Sequence, residues 1–131
     1  MRSRFEYLDV EDLIVLAAGL FGEPLPVRDL GLLASAAARP RASAFGQDAY
    51  VDVWTKAAAL LQSLVKNHPL IDGNKRLGWL ATATFLELNG ITATSATNDD
   101  VYEFVMSAAA GQHDVGELAG MLRRIVDSRS C

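Results

Sequence analysis

The sequence predicts an all-α fold, a compact bundle of about six helices in a single domain that spans residues 1–131. Apolar residues recur at helical spacing along nearly the whole chain, and only Ile91–Thr94 has the character of a strand. The length is that of one ordinary domain. Hydrophobic residues make up 50% of the chain and charged residues 21%, a balance that supports a core and argues against disorder.

Two helices are expected before residue 40. Asp9 is the expected N-cap of the first helix, which ends at Gly22. The second helix covers about residues 28–38, and Pro40 stops it. The apolar stripe of the first helix, spaced for one face, consists of Leu13, Leu16, Ala17, Leu20 and Phe21.

A long third helix is expected from near Asp48 to Asn67, because Pro69 disfavours helical geometry at the residue that precedes it. A fourth helix follows and ends at Asn89 and Gly90, which have the character of a C-cap. The residues expected to be buried are Val53, Ala57, Leu60, Leu61, Leu64 and Val65 in the third helix, and Leu77, Leu80, Ala81, Thr84, Phe85 and Leu88 in the fourth.

The last two helices have recognisable starts. Thr97–Asp100 reads as the N-terminus of a helix that continues to about Ala110. Asp114 and Glu117 have the spacing of a capping box for the final helix. Its inward residues are expected to be Leu118, Met121, Leu122 and Ile125.

The segment Arg39–Gln47, between the second and third helices, has little periodicity and is called the flap below. It mixes arginine, proline and glycine with a single aromatic residue, Phe45. Functional loops are often of this kind, so one interpretation is a mobile surface flap. A plain connector is the other interpretation, and the sequence alone does not choose between them.

Charge and hydropathy exclude several classes of protein. The net charge of −4, from 12 basic and 16 acidic residues, makes general binding of DNA or RNA unexpected. No apolar stretch approaches the roughly 20 residues that span a bilayer. The charged start, Met1–Glu6, does not resemble a secretion signal, and the single cysteine, Cys131, cannot form an internal disulfide. We therefore expect a cytoplasmic protein that binds neither membranes nor nucleic acid.

Chemically useful residues are concentrated between the third and fourth helices, in the run His68–Arg76. A connector needs little more than a glycine or proline, whereas this run has an imidazole, a carboxylate, an amide and two cations. The run ends where a helix begins. The first turn of a helix has backbone N–H groups without intrahelical partners and the positive end of the helix dipole, so it binds anions.

Most residues of the run suit a polyphosphate. Gly73 lets a ligand approach the backbone, and Asn74 can either cap the helix or donate to a phosphate oxygen. Lys75 and Arg76 add positive charge, with a planar fork of donors on the arginine. Asp72 would repel a bare polyphosphate, but not one that reaches it through a Mg²⁺ ion.

His68 is the candidate general base, because an imidazole accepts protons near neutral pH. A lone histidine is more often structural than catalytic, but its spacing to Asp72 and the cations favours catalysis here. A structural zinc site is disfavoured, because zinc needs about four ligands and the other histidine, His113, is expected in a loop. The run predicts the transfer of a phosphoryl or nucleotidyl group.

The motif His68–Arg76 resembles the signature of the Fic/Doc family and is closest to its Doc ("death on curing") branch. The similarity extends to Asn67 before the histidine, to Gly31–Ser35 and to Ala38–Pro40, and it covers roughly residues 8–90. The resemblance implies that His68 is the catalytic base and that Asp72 holds Mg²⁺. It also implies an anion hole for the phosphates of ATP, made by Gly73, Asn74, Lys75 and Arg76, and a flap that aligns the target by strand-like pairing, at Arg41, Ala42, Ser43, Ala44 and Phe45.

Partners are implied by the same resemblance. Doc-like proteins phosphorylate a threonine of elongation factor Tu, which stops translation, and a cognate antitoxin neutralises them. The chain has no Ser/Thr-x-x-x-Glu-Gly/Asn inhibitory motif, so restraint is expected from a separate polypeptide.

Departures from the family pattern bear on the reaction, and together they favour phosphoryl transfer, with transfer of AMP as the alternative. The adenylylating branch usually has glycine at the position of Lys75 and arginine at that of Trp79, so both residues favour transfer of the γ-phosphate. Gly73 favours transfer of AMP, because the Doc type has alanine there. Leu70 replaces a core-facing phenylalanine and should affect packing only. A catalytically silent binding module is a third possibility, against which the intact set of polar motif residues argues.

Overall fold

Six α-helices and one small hairpin make up the computed structural model, which describes residues 5–127, and they confirm the predicted all-α class. The expectations for Met1–Arg4 and Cys131 fall outside the described residues. No helix within this range is both long enough and apolar enough to cross a membrane. The helices are α1 (Val10–Phe21), α2 (Leu30–Ala38), α3 (Val53–Asn67), α4 (Asn74–Leu88), α5 (Asn98–Ala110) and α6 (Val115–Asp127).

Side-chain caps stand at the helix starts that the sequence predicts. Asp9 accepts a bond from the backbone N–H of Asp12 at 2.8 Å, and the Asp12 carboxylate accepts one in return, which completes a capping box. Asp114 and Glu117 form the same reciprocal pair before α6. Thr97 caps α5. Local sequence therefore sets these helix starts.

The predicted start of α3 near Asp48 is wrong. Asp52 is the N-cap of this helix, because its carboxylate accepts the backbone N–H of Thr55 at 2.8 Å. Asp48 lies instead in a strand, β2 (Gln47–Asp48), which pairs antiparallel with β1 (Ser43–Ala44). The flap is therefore a hairpin that follows α2 and precedes α3.

Three smaller expectations also change. The second helix begins at Leu30 behind the cap Asp29, and beyond it the chain passes through a 3₁₀ turn, Arg39–Arg41, that includes Pro40. Ile91–Thr94 is not a strand: the N–H of Ile91 bonds to Leu86 at the end of α4, and no strand in the described residues lies beside it. Leu88 is 49% exposed, because α4 ends there at the surface.

The core is built around α3, which packs against α4, α5, α6 and α2. The side chains of Leu60, Leu61 and Leu64 are buried, and each contributes about 1.5–3 kcal/mol relative to an exposed leucine. Helices α3 and α4 approach closely at Gly78, where an added Cβ would lie 2.8 Å from a methyl group of Val65. Consequently the end of α3 and the start of α4 are held in a fixed relation.

Candidate active site

The connection between α3 and α4, residues 68–73, is called the corner below, and it exposes His68. This residue ends α3 in a left-handed conformation, with φ 55° and ψ 59°, and its side chain is exposed. The next two residues, Pro69 and Leu70, are buried. Leu70 is 1% exposed, which agrees with its expected place in the core. Burial on one side of the corner thus leaves the imidazole facing outward.

The connection between α1 and α2 fixes the backbone of this corner. The N–H groups of Arg28 and Asp29 both donate to the carbonyl of Pro69, at 2.8 and 3.0 Å. The N–H of Ile71 donates to the carbonyl of Pro26 at 2.7 Å. A bridge between Val27 and Leu70 lies between these bonds. The corner is held from outside, by residues distant in sequence.

Arg28 is a residue that sequence reasoning missed, because it seemed to belong to the second helix. Its Nε donates to the carbonyl of His68 at 2.8 Å, and its Nη2 donates to the carbonyl of Asn67 at 2.9 Å. Carbonyl groups at the end of a helix have no intrahelical partner, so a cation there is favourable. Arg28 therefore caps α3 and holds the backbone of His68.

The side chain of Asn74 bonds to the backbone of the corner on its buried side. It is buried, its Oδ1 accepts the N–H of Leu70 at 2.9 Å, and its Nδ2 donates to the carbonyl of Leu70 at 3.0 Å. These bonds occupy the oxygen and one N–H of the amide that the sequence offered as a helix cap or a phosphate donor. The second N–H of Nδ2 lies near the imidazole of His68.

The imidazole of His68 has one polar contact to a side chain among the described residues. Its Nδ1 lies 3.5 Å from Nδ2 of Asn74. This length is at the outer limit for a hydrogen bond, so the contact orients the ring weakly and does not fix its tautomer. A ring nitrogen is therefore available as an acceptor.

The start of α4 differs from the other five α-helix starts in residues 5–127. Those five have an Asp or Thr side chain bonded to the first turn, whereas α4 begins at Gly73 with no side-chain cap. The N–H groups of Asn74, Lys75 and Arg76 occupy the first turn, where intrahelical partners do not exist. Such a helix end can accept an anion without displacing a protein group.

Gly73 and Arg76 share one support, the ring of Phe21. Gly73 has φ 89°, and an added Cβ would overlap this ring, with 2.7 Å to Cε1. The guanidinium carbon of Arg76 lies 5.0 Å from the ring centroid, which is the range of a cation–π contact. Phe21 was expected only as part of an apolar stripe, and nothing in its spacing indicated this role.

Charge at this helix start is positive apart from one carboxylate. Lys75 and Arg76 are exposed, and neither forms an ion pair within residues 5–127. Asp72 is exposed, and its Oδ1 accepts the N–H of Gly73 at 2.8 Å. The second carboxylate oxygen accepts no hydrogen bond from the part of the chain that the structure describes. It therefore fits as one oxygen ligand of Mg²⁺, which usually takes few protein ligands beside phosphates and water.

The five residues expected to dock a target lie in or before the hairpin. Ser43 pairs with Asp48 and Ala44 with Gln47, and the turn places Phe45 and Gly46 at φ 54° and 78°. The side chain of Phe45 is fully exposed. Both strands have an unpaired outer edge in the described part of the chain, as strand-like docking requires.

Two arginines of the flap fasten it to the body of the domain. The guanidinium of Arg39 donates to Tyr50, to Gln62 at 2.8 Å and to Ser63 at 3.1 Å. Arg41 lies over the ring of Tyr7, 4.8 Å from its centroid. Both side chains are thus engaged with the domain.

A groove of about 680 Å³ extends from Lys75 and Arg76 between α4 and α5. Its lining is mostly apolar and includes Trp79 and the exposed Tyr102. Trp79 also packs edge-on against Phe104, with 6.4 Å between the ring centroids. The position where an adenylylating motif has arginine is therefore part of an apolar wall.

Two comparisons relate the chain to known proteins. A family model described as the Fic/DOC family matches residues 7–86. The chain is also 50% identical, over 105 residues, to the protein named Toxin Doc of Mycolicibacterium smegmatis. These residues cover 80% of this chain and 81% of the relative. The matched region contains α1 to α3, the hairpin, the corner and most of α4. The chain belongs to the Fic/DOC family.

Proposed function

We propose that the protein is a Doc-like toxin of a toxin–antitoxin pair, which transfers the γ-phosphoryl group of ATP to a Ser or Thr hydroxyl of a target protein. The observation that carries this proposal is the juxtaposition at the corner. His68 ends α3, and within a few residues α4 begins without a side-chain cap and with two cations that form no ion pair within residues 5–127. The relative named Toxin Doc supports the same role.

The start of α4 would bind the phosphates of ATP. Backbone N–H groups of its first turn would donate to phosphate oxygens, while Lys75 and Arg76 would neutralise their charge. Asp72 would hold Mg²⁺, which supplies further charge neutralisation when it is bound. The groove that begins at these two cations has the apolar lining that a purine requires.

His68 would act as the general base. A ring nitrogen accepts the proton of the target hydroxyl as its oxygen forms a bond to the γ-phosphorus. The bond from this phosphorus to the bridging oxygen breaks, and ADP leaves with that electron pair. The imidazolium then releases its proton to water. The fixed backbone of His68 serves this step, because small displacements of a catalytic group cost much of its rate.

The hairpin would hold the target. An extended segment of the target can pair with an unpaired strand edge, while the exposed ring of Phe45 contacts one of its side chains. Elongation factor Tu, a cytoplasmic protein, is the target that the family resemblance suggests. The cognate antitoxin would be a separate protein that blocks this activity.

Transfer of AMP is the second candidate, and Gly73 favours it. A glycine there resembles the adenylylating motif, and the ring of Phe21 leaves no room for alanine. Lys75 and Trp79 favour phosphoryl transfer. Trp79 stands where the adenylylating motif has its second arginine, and its surroundings are apolar. Phosphoryl transfer is therefore the first choice.

Labelled ATP separates the candidate functions. The purified protein is incubated with Mg²⁺ and cell extract, with γ-labelled ATP in one reaction and α-labelled ATP in another. Label from the γ position alone supports the proposed kinase, label from the α position supports adenylylation, and no label in either reaction supports a binding module.

His68→Ala is the matched variant for this experiment. It should lower the rate of modification by at least ~100-fold, the range of general-base catalysis. Because the side chain is exposed, the melting temperature and the affinity for Mg·ATP should change little. Undiminished transfer by a folded variant would exclude the histidine as base.

A further inference from the structure

Lys56 is an unexpected residue in the core. It lies in the first turns of α3, its side chain is 0% exposed, and it is among the largest fully buried side chains. Removing an ammonium group from water costs several kcal/mol unless charged and hydrogen-bonding partners compensate. The residues that follow it on α3, Ala57, Ala58 and Ala59, are also buried and apolar. A lysine at this position therefore needs a reason.

The ammonium of Lys56 joins the two ends of the hairpin. Its Nζ donates to the carbonyl of Pro40, which precedes β1, at 3.2 Å. It also donates to the carboxylate of Asp48, in β2, at 3.2 Å. The faces of Phe5 and Tyr7 lie 4.9 and 5.4 Å from the same nitrogen. One buried charge thus contacts the chain entering the hairpin, the chain leaving it, and the N-terminal segment.

We infer that Lys56 is a positioning residue, which fixes the hairpin to the helix that ends at His68. The consequence for target docking rests on the proposed function, whereas the anchoring itself does not. No hydrogen bond, ion pair or ring contact of Lys56 within residues 5–127 reaches the corner, so its effect on the reaction would pass through the hairpin. Loss of Lys56 should therefore raise the KM for the target and leave the Kd for Mg·ATP unchanged.

Stability alone does not account for this lysine. Replacing a buried ion pair by well-packed apolar residues is often neutral or stabilising. A leucine or methionine would fill the position without the desolvation cost, but it could not bond to Pro40 and Asp48 together. What the lysine adds is therefore a defined position for a hairpin that is otherwise short and exposed.

Hydrogen exchange measures the anchoring directly. In Lys56→Met, the amide protons of residues 42–49 should exchange at least tenfold faster than in the wild type, including the N–H of Ala49, which bonds to Ala42 at 2.8 Å. Amides of α4 and α5 should keep their rates. Lys66→Met, on an exposed lysine of the same helix, is the matched control and should leave residues 42–49 unchanged.

Asp48→Ala provides a second variant whose altered side chain lies outside the core, at 39% exposure, and which leaves the carbonyl of Pro40 as the hydrogen-bond partner of the Lys56 ammonium. It should accelerate exchange in the same residues, and the double variant should be little faster than Lys56→Met, because both changes break one connection. Unchanged exchange in either single variant, or additive effects in the double variant, would refute the anchoring role, and so would loss of exchange protection throughout the domain.

Kinetics test the consequence for the target. The KM for the target should rise at least tenfold in Lys56→Met, while the Kd for Mg·ATP, measured without target, stays within twofold. Faster exchange together with an unchanged KM would confine the role of Lys56 to the hairpin and overturn its part in docking. Absence of transfer in the wild type would count against the proposed function alone, since exchange reports the anchor independently.

Discussion

The corner and the hairpin each contain one non-glycine residue with positive φ, and these two residues are supported in opposite ways. His68 (φ 55°) and Phe45 (φ 54°) share nearly the same backbone conformation. The backbone of His68 is held by Arg28 and followed by two buried residues. The side chain of Phe45 stands fully in solvent at the tip of a two-residue turn.

A left-handed conformation costs roughly 1–3 kcal/mol for such residues, so the surrounding structure must stabilise it. At the corner this stabilisation comes from the connection between α1 and α2, which fixes the backbone of His68, whereas its ring is oriented only weakly. At the hairpin it comes from the turn and from the anchored base. The comparison predicts a fixed backbone for the proposed base, His68, and an adaptable position for the proposed docking ring of Phe45, and three experiments test this difference.

The largest effect is expected from a pair of glycine substitutions. Gly73→Ala and Gly46→Ala each place a side chain at positive φ, which costs about 1 kcal/mol. Only Gly73→Ala also meets the ring of Phe21, for about 1–3 kcal/mol more, since Gly46 has open space around it. Urea unfolding should show this difference. Equal losses at the two sites would mean that the corner is no more tightly packed than the hairpin.

Arg28→Met should have an intermediate effect. It removes two bonds to the end of α3, worth about 1–2 kcal/mol together once exposure of the arginine is allowed for. The kcat should fall roughly tenfold as His68 loses its fixed position, with little change in the Kd for Mg·ATP. Arg28→Lys, which keeps the charge and can retain one bond, should recover part of the kcat. An unchanged kcat in the methionine variant would show that the corner does not need this support.

The smallest effect is expected at Phe45. Asn followed by glycine is the preferred pair for a two-residue hairpin turn with positive φ, so Phe45→Asn should stabilise the fold by about 0.5–1 kcal/mol. The same change removes the exposed ring and should raise the KM for the target severalfold. A more stable variant with an unchanged KM for the target would show that Phe45 strains the turn but takes no part in docking.

Local signals in the sequence were sufficient for the starts of α1, α5 and α6. The capping residues Asp9, Thr97 and Asp114 lie where their spacing to the next polar residue indicates, because a cap bonds within one turn. The order of residues in the motif also sufficed to locate the corner, since its chemistry is contiguous in the chain.

Contacts between distant segments were not predictable from one sequence. Arg28 lies 40 residues before the carbonyl that it holds, and the spacing of Phe21 is that of any core residue. The hairpin was missed because its turn is Phe45-Gly46 in place of the usual Asn-Gly, and because its strands are two residues long. The buried state of Lys56 depends on the same unrecognised hairpin.

The uncapped start of α4 has a consequence for the stability of the protein. A phosphate oxygen bound there would serve as the N-cap that this helix lacks. Nucleotide binding would thus provide hydrogen-bond partners for the first turn of α4. Occupancy and helix integrity would then be thermodynamically linked, and each tenfold excess of ATP over its dissociation constant would add about 1.4 kcal/mol to the folded state. The concentration of ATP would thus also set the stability of the folded molecule.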